Sequence, residues 1–548
     1  MSARRWDHQF DVVVAGSGGA GLTAAILAHD NGARVALLER SDRIGGTTAV
    51  SGGAIWVPAN DHMAEVGAHD SREEALAYCK RLSAATAPDE MIETFVDTAP
   101  LMVRYLEDHS PLKFSVWTAP DYYADGPGGK ACGRALEPEI FSKAELGDWA
   151  GAVLAAPILM VPLTLEEMLT KYRLLTGVKG LPNGLLSKRI EQQAVGMGAA
   201  LVGRLLRGCL DRGITIMLGT RAKELVREGP RVVGLLAEKD GRETALLARG
   251  GVVLATGGFE WNRDLVSKFI PGPLTHPNSP PFNEGDALIM AMEAGAGLAN
   301  MPGAWWEPSG AVPGEEYEGR PLSRFLAAER SAPHTIMVNR AGRRFVNEGA
   351  PYNDIGRVFH HFDPSSYSFA NLPCWAVFDA QYRRRYPVLG ALPGSPDPEW
   401  LTREETLEGV AARVGIEAAG LAVTVARWNG FARQGNDCEF HRGETAFERA
   451  SGDHRSPHPN MGTIEEPPFY ALPVYPGVLG TSGGPQTNSK GQVLDSRGDV
   501  IRGLYAAGNA MASPTGLAYY SGGGTISPAM TWGYLCGIDA AENARREV

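Results

Sequence analysis

Cysteine is sparse in this chain and never clustered. The six residues, Cys79, Cys132, Cys209, Cys374, Cys438 and Cys536, form no Cys-x-x-Cys and no Cys-x-x-Cys-His. That spacing speaks against a disulfide framework, a zinc site, an iron–sulfur cluster and attached haem, and it reads most simply as buried thiols in a reducing cytoplasm. No basic tract is present and the formal net charge is -11, which argues against a nucleic-acid partner. The longest apolar stretch, 149–165, contains Pro157 and Pro162 and falls short of the roughly 20 residues that span a bilayer. It reads as an internal helical cap. A patch that rests on a membrane surface or receives an apolar substrate is the alternative. The opening residues, 1–9, enter the first strand with no apolar signal region, so secretion is not expected.

At 548 residues the chain is too long for one core, and two or three domains are expected. Hydrophobic content of 44% and charged content of 21% are ordinary for a globular protein. Its most informative segment is the first sixty residues. An apolar run from Phe10 to Ala15 passes into Gly16-Ser17-Gly18-Gly19-Ala20-Gly21, a helical stretch follows, and a second apolar run, 34–38, is closed by Glu39 and Arg40. This is the order a dinucleotide fold needs. Gly16 permits the tight turn, Gly18 the approach of the pyrophosphate and Gly21 close helix packing, while the helix N-terminus faces the phosphates and Glu39 accepts the ribose hydroxyls. Two further clusters, Gly45-Gly46-Thr47-Thr48 and Ser51-Gly52-Gly53, exceed what a nicotinamide needs and suit FAD.

Beyond this unit, residues 61–210 read mainly as helices, at 71–84, 89–108 and 190–212. A turn-rich loop at 120–129 carries Tyr122 and Tyr123. Residues 214–256 read as a meander of strands, at 215–218, 222–227, 231–238 and 244–248, that returns to a parallel strand and ends at Thr256-Gly257-Gly258. From about 275 to 465 the texture changes to tryptophans, prolines and short strands, with a hairpin expected at 336–348. A second hairpin is expected at 493–498, then a strand and turn ending at Gly508-Asn509, then a helix over 525–541. The fold class is α/β: a Rossmann-like, glutathione-reductase-type FAD-binding domain, discontinuous in sequence, with an inserted α+β catalytic domain. The layout is 1–277 for the FAD-binding domain, with a helical insertion at about 61–212, 278–464 for the catalytic domain, and 465–548 for the return. Ala222, Thr256, Gly257, Gly258, Gly508, Asn509, Thr525 and Ile526 complete the candidate flavin contacts.

Taken together, these motifs resemble the flavoprotein family of fumarate reductases and 3-ketosteroid dehydrogenases over essentially the whole chain. The far end is the more specific part: Tyr470 to Gly477, Gly480-Thr481-Ser482-Gly483-Gly484, Gly508-Asn509 and 519–528 look like the 3-ketosteroid dehydrogenase branch. Positions where a fumarate reductase carries arginine or histidine are Tyr352, Tyr520 and Gly480 here, and an uncharged pocket would not offset the desolvation of two carboxylates. The tyrosines of the ketosteroid branch match at Tyr122, or its neighbour Tyr123, at Tyr352 and at Tyr519, with Gly523 four residues further on. Tyr520, Ser521 and Ser527 depart from that branch.

The resemblance implies a mechanism. Tyr519 O–H and Gly523 N–H would stabilise the enolate of a bound ketone, Tyr352 would take the proton from the adjacent carbon with Tyr122 relaying it, and flavin N5 would accept hydride. Because a free tyrosine has a pKa of about 10, an alkaline optimum is expected. FAD attachment is expected to be non-covalent, since no histidine occupies 47–53. With no second glycine motif, a quinone, a dye or oxygen is expected as electron acceptor rather than a nicotinamide. The reading is 1,2-desaturation of a 3-ketosteroid. Its alternatives are 4,5-(5α)-desaturation, another cyclic ketone such as a terpenoid, or the reverse enone reduction; a fumarate reductase and a flavin-binding protein without catalysis are disfavoured. Trp305 and Trp306 read as pocket wall or core, His276 as loop, and His334 has no role.

Overall fold

Val12, Val13 and Val14 are all fully buried, although successive residues of a strand point to opposite faces. A strand covered on both sides belongs in a parallel sheet flanked by other layers. The computed structural model, which describes residues 5–158, 161–174 and 181–546, shows such a sheet. Its first elements are β1 (His8–Ala15), α1 (Gly19–Asp30) and β2 (Val35–Leu38), joined later by β3 (Thr215–Met217), β4 (Arg221–Glu228), β5 (Arg231–Lys239) and β6 (Arg242–Leu254). A second group comprises β7 (Ala304–Tyr317), β8 (Arg320–Phe325), β9 (Thr335–Asn339), α2 (Tyr352–Val358), β10 (Cys374–Asp379) and β11 (Phe469–Thr481). The chain ends with β12 (Gln492–Leu494), β13 (Val500–Ala506) and α3 (Ile526–Arg546).

The first sheet runs β12-β13-β6-β1-β2-β3, with β5 on β6 and β4 on β5. It therefore joins strands from both ends of the chain. β6 serves three ladders: its early residues pair antiparallel with β5, Leu246 onward runs parallel to β1, and its last residues pair parallel with β13. α3 packs along α1, whose Leu22, Ala24, Ala25, Ile26 and Leu27 are fully buried.

The second sheet runs β8-β7-β11-β10-β9. Alternation along β9 and β10 sends Met337, Ala376 and Phe378 into one apolar cluster and Ile336, Val338, Trp375 and Val377 into another, so both faces are covered. Because β11 lies at the centre of this sheet, the chain rejoins the first sheet beyond 481 rather than at 465.

Several local expectations are corrected. The stretch 336–348 yields only its first strand, β9; Arg344 and Glu348 enter a buried ion network in place of a second arm. The helix expected over 190–212 is broken, because 194–195 pairs with 141–142 as a short ladder, and helix resumes at Met197–Asp211. The strand expected to open the meander, β3, instead lies parallel to β2. Cys438 is exposed, unlike the buried Cys79, Cys209, Cys374 and Cys536. In the apolar stretch 149–165, residues 159–160 lie outside the described residues; the remainder is mostly turns and extended chain rather than a helical cap, with Val153 bridging Ile44. Among the described residues no helix is long and apolar enough to cross a membrane.

Candidate active site

Three pieces of the glycine-rich opening close on one another. Gly16 leaves β1 at φ +105°, where a Cβ would stand 2.2 Å from Ala255 O, and a Cβ on Gly21 would stand 1.9 Å from Gly16 O. Only glycine fits this turn. Ser17 Oγ donates to Glu39 Oε2 at 2.5 Å and accepts from Gly45 N at 2.9 Å, while Gly19 N donates to Thr48 Oγ1 at 3.0 Å. The turn, the acid after β2 and the second glycine cluster thus form one hydrogen-bonded unit at the N-terminus of α1. Glu39 is buried among neutral donors, Ser17 and Ser41, and burial raises its pKa. Thr220 N donates to Glu39 O at 2.8 Å, which brings the start of β4, with Ala222, beside the acid. Arg40 turns away to Glu284 at 2.9 Å.

A second network continues from this unit. Asn283 Nδ2 donates to Thr47 Oγ1 at 2.9 Å and to Glu260 Oε1 at 2.7 Å; Ser279 Oγ donates to the same carboxyl at 2.6 Å. Thr481 N reaches Glu260 Oε2 at 3.3 Å, and Thr481 Oγ1 accepts from Phe259 N, just past Gly257 and Gly258. Thr256 Oγ1 accepts from Ala287 N, and Ser51 Oγ accepts from Gly53 N, next to Gly52. A small crevice is lined by Trp305, Ser482, Gly508, Asn509, Thr525 and Pro528, with Ile526 opening α3 at its side. Trp305 Nε1 donates to Asn509 Oδ1 at 3.1 Å, and Ser482 Oγ is buried without a partner among the described residues. Small residues, an unused hydroxyl and fixed amides at this crevice fit a flat heteroaromatic group with polar edges, as a flavin is.

The tyrosines converge from three distant parts of the chain. Tyr122 lies in the loop after the Phe114–Val116 strand, Tyr352 is the first residue of α2, and Tyr519 precedes α3. Pro351 stands at the helix start, where its fixed φ is no handicap, and Asn353 Oδ1 accepts from Trp306 N at 3.1 Å, pinning α2 to β7. The ring centroids lie 5.8 Å apart for Tyr122–Tyr352, 5.8 Å for Tyr122–Tyr519 and 5.3 Å for Tyr352–Tyr519. Tyr352 O–H donates to Tyr519 Oη at 2.7 Å. Phe447, Phe325 and Trp305 add aromatic walls. Gly523 takes φ +88°, where a Cβ would lie 2.6 Å from Ala54 O.

Burial pushes the phenols of Tyr122 and Tyr352 well above their ordinary value. Tyr519 is pushed up to about 12, chiefly by burial. For Tyr122, a hydrogen bond with Tyr352 and the charge of Arg330 act in the opposite direction.

The structure separates neighbours that are alike in sequence. Tyr123 stands outside the trio's hydroxyl contacts and hydrogen-bonds Asp354, whereas Tyr520 is packed in the core against Trp56 and Phe95. Trp305 faces Tyr519, and Trp306 packs against His360 in a separate apolar cluster. His276 belongs to a short strand and stacks on Tyr475, and His334 bonds Thr463 O, both away from the tyrosines. Glu260, Glu307 and Arg330 were not singled out from the sequence. All three are buried ionisable side chains, and their surroundings come from remote segments that leave no local spacing to read.

The FAD binding domain family matches residues 11–526. The 3-oxosteroid 1-dehydrogenase of Mycolicibacterium smegmatis is 38% identical, over 98% of this chain and 98% of that protein. The 4-oxocyclohexanecarboxylate 2-dehydrogenase of Sinomonas cyclohexanicum is also 38% identical, over 98% of this chain and 93% of its own length. Among solved structures, the 3-ketosteroid delta1-dehydrogenase of Sterolibacterium denitrificans, in complex with 1,4-androstadiene-3,17-dione, superposes with a TM-score of 0.90 at 36% identity, covering 98% of this chain and 100% of that one.

Proposed function

The chain belongs to the FAD binding domain family, in the branch that holds the 3-oxosteroid 1-dehydrogenases, and from that premise we propose that it desaturates a cyclic ketone to the conjugated enone, with 1,2-dehydrogenation of a 3-ketosteroid as its reaction. It is an FAD-dependent oxidoreductase acting on CH–CH groups. The observation that carries the reading is the meeting of Tyr122, Tyr352 and Tyr519, with two of the hydroxyls 2.7 Å apart. When bound, FAD supplies the hydride-accepting atom, and the residues that would hold it are those of the Gly16–Gly21 turn, Glu39, the Gly45–Gly53 segment and the crevice at Gly508, Asn509 and Thr525. No histidine lies within 47–53, and the reading takes FAD as held without a covalent bond.

Tyr519 O–H and the Gly523 N–H hydrogen-bond the ketone oxygen and stabilise the negative charge that grows on it. A ketone held there brings the hydrogens of its neighbouring carbon to Tyr352, which as tyrosinate removes one. Tyr122 shares the proton with Tyr352 and passes it outward. Electrons leave to a quinone or another small acceptor. The chain works in the reducing cytoplasm, and the surface near 149–165 is its candidate contact with a membrane.

A second reading, a monocyclic oxo-acid as substrate, is favoured by the equal identity to the 4-oxocyclohexanecarboxylate enzyme. Steady-state turnover with an artificial dye separates the two. A kcat/KM for 4-androstene-3,17-dione at least tenfold above that for 4-oxocyclohexanecarboxylate, with a 1,4-diene product by mass spectrometry, supports the steroid. The reverse ratio moves the substrate and keeps the reaction.

A further inference from the structure

Arg330 is a buried cation, 4% exposed, with no acidic side chain in ion-pair contact among the described residues. Its guanidinium is held on main-chain carbonyls: Nε donates to Leu326 O at 3.0 Å, and Nη1 donates to Ala350 O at 3.0 Å and to Glu348 O. The neighbouring arginines differ. Arg344 meets Glu348 at 2.7 Å and Asp437 at 2.8 Å, and Arg442 meets Glu348 at 3.2 Å. A buried charge left without a counter-ion is costly, so its surroundings show what it serves.

Those surroundings are the tyrosines. Ala350 lies two residues before Tyr352. The Phe325 ring neighbours both groups, 6.0 Å from the guanidinium carbon and 5.1 Å, edge to face, from the Tyr352 ring. The positive charge lowers the Tyr122 phenol, and both Tyr122 and Tyr352 act back on Arg330. The other charged groups around the trio are Asp354, which raises Tyr122, and Glu307, which raises Tyr519. Glu448 and Arg442 act on Arg330 itself. Glu348 is neutralised by its own arginines.

We propose that Arg330 is a positioning residue for the reaction: seated on the carbonyls of Glu348 and Ala350, it holds the turn that presents Tyr352, and its charge stabilises the anion left when the Tyr122–Tyr352 pair loses its proton to solvent before turnover. The inference rests on the tyrosine mechanism proposed above.

Two variants separate charge from scaffold. Arg330→Gln keeps amide donors for the carbonyls and removes the charge; Arg330→Lys keeps the charge and loses the fork. Each is purified with FAD and mixed anaerobically with 4-androstene-3,17-dione across neutral to alkaline pH, and tyrosinate ultraviolet absorbance is titrated in parallel. Glu307, pushed up to about 8 by burial, also titrates in this range but gives no tyrosinate signal. Arg330→Gln is expected to shift both midpoints upward by about 1 to 3 pH units, with the rate recovering at the alkaline plateau. Arg330→Lys is expected to keep the wild-type midpoint.

Unchanged midpoints in Arg330→Gln, or an equal shift in Arg330→Lys, overturn the proposal. If Arg330→Gln loses FAD, Arg330→Lys decides alone, since a shifted midpoint there contradicts a role for the charge. Failure of the tyrosine mechanism itself is seen separately, as a wild-type rate with no alkaline rise.

Discussion

At the scale of the residue, the site turns on three phenols that burial holds protonated at neutral pH. A group whose pKa is raised exposes its basic form only as pH climbs, so flavin reduction by substrate is expected to accelerate from neutral to alkaline pH, and a flat profile contradicts a tyrosinate base. Replacing Tyr352 with Phe removes the base while keeping the ring that packs on Phe325. Flavin reduction is expected to slow by about 10²-fold to 10⁴-fold with FAD content unchanged. Tyr123→Phe loses only a bond to Asp354 and is expected to stay within a few-fold of wild type; stopped-flow bleaching of the two variants side by side checks both.

The resemblance to the ketosteroid branch is what points to the tyrosines in the sequence, each beside a local feature: a turn-rich loop, the end of the 336–348 stretch, a glycine cluster. Arg330 and Glu307 have no such feature. What makes them notable is burial beside residues scattered over the chain, and burial is a property of the folded molecule. The choice between Tyr122 and Tyr123 was open for the same reason, since both reach α2 and only the folded chain puts Tyr122 on Tyr352 and Tyr123 on Asp354.

At the scale of the element, periodicity and turn chemistry were reliable wherever an element depended on its own residues. β1, α1, the helix Asp89–His109 and α3 have the apolar spacing or buried runs that local reading detects. The stretch 336–348 shows the limit. Its alternation reads as a hairpin, yet Arg344 and Glu348 find better partners than a second strand offers: Arg344 bonds Glu348 and Asp437 and lies 4.6 Å over the Trp428 ring. This network carries the turn that delivers Tyr352.

Removing one member leaves the others charged and unmatched, so Glu348→Ala is expected to cost about 3–5 kcal/mol of stability, read as a lower denaturant midpoint. The Glu348 carboxyl is held below its ordinary value by Arg344 and Arg442, against the opposing effect of burial. A depressed carboxyl contributes stability that is complete above its unfolded pKa and is lost as pH falls through its folded one. The variant's deficit is therefore expected to be full near neutral pH and to shrink on acidification. A deficit independent of pH would assign the loss to packing alone.

At the scale of the whole molecule, the candidate site exists only because distant parts of the chain return to one place. The glycine turn and Glu39 come from its beginning, Tyr122 from the segment inserted after them, Trp305 and Tyr352 from the region of the second sheet, and Asn509, Tyr519 and Thr525 from the end. The two-sheet architecture was legible from the order of motifs. The crossover point was not, because β11 carries an apolar pattern that suits either sheet and only its ladder with β7 and β10 decides.

The measurement that tests the account most directly is anaerobic bleaching of the flavin in the purified protein by 4-androstene-3,17-dione, its 5α-saturated analogue, 4-oxocyclohexanecarboxylate and succinate. Rapid bleaching by 4-androstene-3,17-dione, with the 1,4-diene as product and no response to succinate, is the predicted result. Bleaching by succinate with no response to any of the cyclic ketones would contradict it.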